Sequence, residues 1–372
     1  MPRQKKKNNH KAGLVTRKKK STIVPVKKMS SPRAVKVLSA KSSGTIPGIG
    51  AVPHEFRTDF IELQSAGNGM FVKGRDGVVR IVTPLDKKVE FVAYKDKTLA
   101  YVKSAMGYPA VYPLDAVSFE GPAEAVLMDL DGTTVHSEVF WIWVIEQTTA
   151  RLLGDSSFTL EADDEPFVSG HSVSEHLHYC IQKYCPQKTV EEARNYYFEI
   201  THHELAEITA GRGRVDAFVP APGLKDFLYE LKGRGIKLGL VTSGLFEKAW
   251  PEIVSAFRTL DMGDPLDFYD AIISAGHAIR KGQAGTLGEL TPKPHPWLYA
   301  ETARVGLGID PSRRHKVVGI EDSSAGVVSI RLAGFAALGI GGGNIVQSGV
   351  RPLLSGHYDH LMDALPFILG TQ

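Results

Sequence analysis

The chain has 372 residues, 43% of them hydrophobic and 23% charged, which fits an ordinary soluble globular protein of two or three domains. No run of eighteen apolar residues occurs, the N-terminus lacks an apolar signal stretch, and Cys180 and Cys185 are the only cysteines. A membrane span, a secretory leader and a disulfide-stapled scaffold are therefore not expected, and a reducing, cytoplasmic setting is. The net charge of +3 conceals an asymmetry: residues 1–41 hold fourteen Lys and Arg, the first acid is Glu55, and the remainder carries 30 basic against 41 acidic residues.

Residues 1–54 contain Lys5-Lys6-Lys7, Arg17-Lys18-Lys19-Lys20 and Lys27-Lys28 among Ser, Pro and Gly. Self-repulsion and low apolar content predict a disordered basic tail. It is either an arm making weak contact with nucleic acid or another polyanion through residues 1–41, or a solvated tail with no partner. Removing residues 1–53 is expected to leave turnover of small substrates unchanged.

Residues 55–120 read as a small antiparallel β module. Short β-favouring runs recur at Met70-Phe71-Val72, Val78 to Val82, Val89 to Tyr94 and Thr98 to Val102, with turns at Arg75-Asp76-Gly77 and Lys95-Asp96-Lys97. The module shows no cluster of catalytic residue types, and support or recruitment is its expected role.

From residue 121 strands alternate with helices, which implies a parallel sheet. Strands are predicted at Ala125 to Met128, Ile236 to Val241, Ala271 to Ser274, Lys316 to Ile320 and Ala336 to Ile340. Leu224, Phe227, Leu228 and Leu231 mark one face of a helix at spacings of three and four. Helices at 138–153, 174–184 and 189–209 lie between the first two strands. That block, 134–219, is too long for one crossover and reads as an inserted helical cap. Residues 121–133 and 220–372 then form the α/β core.

Four stretches carry chemistry, each at a strand end or a loop there, where open parallel sheets bind ligands. Asp129-Leu130-Asp131-Gly132-Thr133-Thr134 places two carboxylates at i and i+2, suited to Mg²⁺-assisted phosphoryl transfer: one can attack phosphorus while the other moves protons. Alone, the pair could equally be a strand-end turn with solvated acids. Thr242-Ser243-Gly244 offers a hydroxyl and backbone amides for phosphate oxygens. Lys293, in a Pro-rich turn, can offset the charge of phosphate and carboxylate. Glu321-Asp322 supplies hard oxygen ligands for Mg²⁺.

In the order DLDGT, VTSG, KP and GIEDSSAG, these stretches resemble the four motifs of the haloacid dehalogenase (HAD) superfamily, over about residues 122–370. The insert is similar to the α-helical cap of its β-phosphoglucomutase-like phosphatase branch. The resemblance implies a three-layer, Rossmann-like α/β core and a phosphoric monoester hydrolase. Asp129 would be the nucleophile that forms an aspartyl-phosphate, and Asp131 the general acid/base, its backbone carbonyl also facing the metal. Thr242 and Ser243, with Gly244, would hold phosphate. Lys293 would stabilise the nucleophile, and Asp322 with Glu321 would complete the Mg²⁺ site.

Departures from the family favour hydrolysis over mutation of sugar phosphates. Trp141 stands where the mutases carry a cap-hinge histidine, and no arginine near Val173 matches the one that grips a distal phosphate there. Gly170-His171-Ser172 replaces a common Gly-Arg-Ser, which leaves His171 as either a substrate contact or a surface histidine. The expected function is Mg²⁺-dependent hydrolysis of a small phosphomonoester such as a sugar phosphate. The alternatives are a phosphomutase and a polyanion-binding protein with a ligand-holding body. Three further signals read as structural. His176, His178, Cys180 and Cys185 match no zinc pattern. The glycines at 339 and 341–343 read as a turn. Phe140, Trp141 and Trp143 read as cap–core packing.

Overall fold

The protein is described by a computed structural model at residues 36–37, 45–103, 109–164, 168, 173–274, 277–279 and 291–371. An antiparallel meander opens the chain: β1 (Lys36–Val37), β2 (Phe60–Leu63), β3 (Arg80–Pro84), β4 (Val89–Ala93), β5 (Thr98–Val102) and β6 (Ala110–Leu114) pair in sequence order. β4 is buried on both faces. Its odd positions Val89, Phe91 and Ala93 pack toward the α/β core, while Val92 joins Val78 and Ile81 in a small cluster on the opposite face. The period of two places them so. Glu90 is also buried, its charge matched by Lys103 and the Gly67 amide.

Two expectations need correction here. Met70-Phe71-Val72 is not a strand: Met70 is exposed, and Val72 makes only an isolated bridge to Ser65. The basic tail does not extend to residue 54. Lys36 and Val37 pair with Glu62 and Ile61, and Ile46 is fully buried among Phe60, Phe91 and Leu114. Truncation at residue 53 would therefore open the meander's core. The runs before residue 36 lie outside the described residues.

The second sheet has the order β12-β11-β10-β7-β13-β14-β15, formed by β7 (Ala125–Asp129), β10 (Lys237–Val241), β11 (Ala271–Ser274), β12 (His277–Ile279), β13 (Val317–Glu321), β14 (Ala336–Ile340) and β15 (Gly356–Tyr358). All neighbours are parallel except β11 and β12. Alternation along the central β7 splits its side chains between two layers. Val126 and Met128 meet α4 (Leu224–Gly233) and α5 (Phe246–Thr259). Ala125 and Leu127 meet the short helix Trp297–Glu301 and α6 (Ser324–Leu332). The meander shares that second cluster through Phe60, Phe91 and Leu114, so it lies beyond α6 as a further layer on the three-layer core.

The cap leaves and rejoins the core through a two-stranded neck, β8 (Val135–His136) paired antiparallel with β9 (Val219–Pro220). Between them run α1 (Glu138–Leu153), α2 (Val173–Tyr184) and α3 (Val190–Thr209). A Thr189–Glu192 capping box starts α3, and Arg258 of α5 donates to the Ile208 and Thr209 carbonyls at its end. Phe140 is buried edge-on against Phe218 within the cap, and a contact to the core is made by Trp141, which reaches Glu252 on α5. Among the described residues, no helix is long and apolar enough to cross a membrane.

Candidate active site

The register of three parallel strands sets the site. Asp129 at the end of β7 pairs with Val241 at the end of β10, and Met128 pairs with Ile320 on β13, so Thr242 and Glu321 emerge level with Asp129. Lys293 reaches this point from the Thr291–Pro296 turn. Its Nζ contacts Asp129 Oδ1, donates to Glu321 Oε1 at 2.6 Å and lies 3.3 Å from the Val241 carbonyl. Burial opposes its charge, but Asp129 and Glu321 outweigh burial and raise the Lys293 pKa above its usual range. It is a fixed cation between two acids.

Glu321 is fully buried, and its carboxylate is taken up by protein donors. Oε1 accepts Lys293 and the Tyr299 hydroxyl at 2.7 Å; Oε2 accepts the Ser323 hydroxyl at 2.9 Å. Glu321, expected at the metal site, belongs to an acidic cluster with Asp129 and Asp322, and its bonds in the structure also hold Lys293. The carboxylate sits where the α6 backbone leaves no room. A Cβ built on Gly326 would stand 1.8 Å from Glu321 Oε1. Gly326→Ala is therefore expected to destabilise the protein by about 1–3 kcal/mol, the usual cost of overpacking, and to lower activity by displacing Glu321. Urea unfolding of the variant checks this, with an unchanged midpoint as the contrary result.

The Asp131 side chain bonds to other groups than Asp129 does. Its Oδ1 accepts the Ser137 hydroxyl at 2.8 Å; Ser137 is the N-cap of α1, yet its side chain serves Asp131 instead of the helix. Glu252, buried on α5, completes the surroundings. One oxygen accepts Trp141 Nε1 at 3.2 Å and the other meets no hydrogen-bond donor. Burial and the charge of Asp131 push the Glu252 pKa well up. Burial would raise Asp131 as well, but Lys248, Glu252, Ser137 and Lys293 outweigh it and hold that carboxyl below the ordinary range. Lys248 lies 3.8 Å above the Trp141 ring, the position where a hinge histidine was absent from the sequence.

Asp322 closes the site beside Asp129. Gly132, in the left-handed region at φ 83°, lets the first motif turn there: a Cβ would stand 2.1 Å from Asp322 Oδ2. The turn glycine Gly343 is pressed against the same residue, 2.2 Å from its carbonyl by the same construction. One oxygen each of Asp129, Glu321 and Asp322 lies within 4.8 Å of the others. The Asp131 side chain is not in this cluster. Burial first, then Glu321, raise Asp129 well above the carboxylate range, and the same two causes raise Asp322 to about 7. Lys293 alone does not balance these acids, and a hard divalent cation beside Asp129 and Asp322 would.

The remaining expected residues divide. Thr242 is buried and Ser243 exposed at the end of β10, with Ser243 Oγ accepting the Lys293 amide at 3.1 Å. The Gly244 amide, expected to face phosphate, donates to Thr242 Oγ1 at 2.9 Å instead. His171 lies outside the described residues. Sequence reading missed Ser137, Glu252 and Tyr299. A signal existed for two of them: Ser137 opens the helix that follows the first motif, and Glu252 lies one turn after Lys248 on α5.

A carboxylate bonded to a buried lysine, with further carboxylates beside it at the strand ends of a parallel sheet, is the arrangement of a haloacid dehalogenase-type hydrolase site. Residues 123–334, more than half of the chain, match the family model "haloacid dehalogenase-like hydrolase", and the chain belongs to that family. No curated protein matches the sequence. Among solved structures, the chain is similar to a mutant of CbbY from Rhodobacter sphaeroides in complex with xylulose-(1,5)bisphosphate, at 20% identity and a TM-score of 0.44 over 64% of this chain and 95% of that one. It is also similar to a HAD-superfamily hydrolase of subfamily IA, variant 1, from Geobacter sulfurreducens, at 17% identity and a TM-score of 0.48 over 68% and 100%. A HAD family hydrolase from Deinococcus radiodurans with bound phosphate and sodium matches at 20% identity and a TM-score of 0.43, over 68% and 97%.

Proposed function

We propose that the protein is a Mg²⁺-dependent phosphatase that hydrolyses a small phosphomonoester through an aspartyl-phosphate on Asp129. The observation that carries this reading is the separation of the two motif carboxylates. Asp129 bonds to Lys293 at the strand ends, while Asp131 is turned to Ser137 and Glu252. The contact with Lys293 supports Asp129 as the attacking group and leaves the second carboxyl for proton transfer.

Asp129 attacks phosphorus and the ester oxygen leaves. Asp131, protonated from solvent before the step, gives that proton to the oxygen and recovers one from the attacking water, so the carboxyl ends as it began. Lys293 stays fixed on Asp129 and Glu321 throughout, a preorganised cation beside the charge that develops on the phosphoryl group. Thr242 and Ser243, at the end of β10, orient phosphate oxygens in this reading. Asp129 and Asp322, with the Asp131 backbone carbonyl, would hold Mg²⁺, which when bound neutralises phosphate and carboxylate charge.

Turnover of generic phosphoesters, assayed with Mg²⁺ and then with EDTA, tests the reading. Activity is expected with Mg²⁺ and lost with EDTA; full activity in EDTA would overturn the metal requirement. A sugar-phosphate panel is expected to yield free phosphate and no isomer interconversion. Trp141, bonded to Glu252 and covered by Lys248, offers no imidazole at the mutase hinge position.

A further inference from the structure

The N-terminal meander lies outside the residues that match the family, yet two of its side chains bond to the loops that carry Asp322 and Lys293. Asp86 occupies the β3–β4 turn. Its Oδ1 accepts the Lys88 amide at 3.1 Å, a side-chain turn that fixes the carboxylate before any other contact is made. Its Oδ2 accepts the Ser324 hydroxyl at 2.5 Å, and its own amide donates to the Ser348 carbonyl at 3.2 Å. Ser324 is the first residue of α6, buried, two positions after Asp322, and its amide donates to Asn344 Oδ1 at 2.8 Å. The start of the helix behind the metal-side acid is thus held from the meander on one side and from the Gly341–Asn344 turn on the other.

Tyr112 of β6 does the same for the lysine loop. Its hydroxyl lies 2.7 Å from His295 Nδ1, and its ring stands edge-on to His295 and Trp297. His295 is buried two residues after Lys293, and its carbonyl accepts the Ser329 hydroxyl of α6 at 2.6 Å. The meander is anchored away from the two loops as well. Buried Asp59 takes a two-pronged bond from Arg351 at 2.7 and 2.6 Å, and Arg331 of α6 donates to the Gly48 carbonyl at 2.6 Å.

We propose that the N-terminal sheet is a positioning element of the active site, with Asp86 setting the Asp322 loop and Tyr112 the Lys293 loop relative to Asp129. The inference rests on the phosphatase reading for its kinetic consequence. Asp129 is fixed by the central strand, whereas Asp322 and Lys293 sit on loops whose placement depends on what lies behind them. Neither Asp86 nor Tyr112 touches the reacting groups, so both are positioning residues. Small displacements of catalytic groups can cost up to about a hundredfold in rate.

The test compares Asp86→Ala, Asp86→Asn, Ser324→Ala and Tyr112→Phe with Val92→Ala, a control on the meander's opposite face. Turnover of p-nitrophenyl phosphate with Mg²⁺ is measured, together with amide hydrogen exchange over residues 295–301 and 321–328 of the full chain. Asp86→Ala, Ser324→Ala and Tyr112→Phe are each expected to lower kcat by about ten- to a hundredfold with KM within about twofold of wild type. Asp86→Asn, which keeps an oxygen for Ser324, restores most of the rate. Val92→Ala lowers the Tm and leaves kcat unchanged. Exchange rises over 321–328 in Asp86→Ala and Ser324→Ala, and over 295–301 in Tyr112→Phe. Wild-type kcat and wild-type exchange in the three deletions would overturn the proposal, as would an equal kcat loss in Val92→Ala. Should the wild-type protein turn over no phosphoester at all, the functional reading fails, and the exchange measurement still decides the coupling.

Discussion

Asp129→Asn is expected to lower kcat on any phosphomonoester by about 10⁶-fold, the scale seen when a catalytic nucleophile is removed, while the fold stays intact. The amide keeps an oxygen for Lys293 but lacks the lone-pair charge needed to attack phosphorus. Stability is not expected to fall. Burial and Glu321 raise the Asp129 carboxyl in the folded state, so its ionisation weakens the metal-free fold as pH rises. A neutral asparagine removes that repulsion, and the metal-free Tm at neutral pH should match or exceed wild type. Loss of activity accompanied by a collapsed Tm would instead mark Asp129 as structural.

Asp131→Asn is expected to cost about 10²–10⁴-fold in kcat on alkyl phosphates, the usual contribution of a positioned acid/base. The position of the loss along the reaction is the sharper outcome. Asp131 is bonded to Ser137, while Lys293 is held by Asp129 and Glu321, so the variant retains the nucleophile and its cation. With an aryl phosphate, whose leaving group departs without a proton, the first half-reaction should survive. Hydrolysis of the phosphoenzyme, which needs a base, should not. Rapid mixing is then expected to show one equivalent of phenolate released in a burst, followed by slow turnover. Equal loss in both phases would remove Asp131 from its acid/base role.

The core was legible because buried parallel strands read as continuous apolar runs that stop at polar motifs. Ala125–Met128 followed by Asp129-Leu130-Asp131 is such a run, and its register against Val241 and Ile320 brings the motif residues together. The meander was less legible. β6 contains Pro113, which argues against a strand interior but is tolerated at an edge, and β6 pairs only with β5. β1 and Ile46 were hidden by the lysines around them, whose charge dominates composition while one buried isoleucine supplies the packing. Within the site, Asp129, Asp131, Lys293 and Asp322 were readable because each lies at a strand end or in a loop there. Glu252 was not: it meets Trp141 across 111 residues, and only the cap's return to α5 brings them together. The meander's role was invisible for the same reason, since Asp86 and Ser324 are 238 residues apart.

The aspartyl-phosphate itself is the most direct test of the central claim. Wild-type protein turning over a ³²P-labelled phosphomonoester with Mg²⁺ is quenched in acid, digested and mapped by peptide. Label is predicted on the peptide that contains Asp129, released by hydroxylamine as an acyl phosphate, and absent from Asp129→Asn. Label on a serine or histidine peptide, or label that persists in Asp129→Asn, would contradict the account.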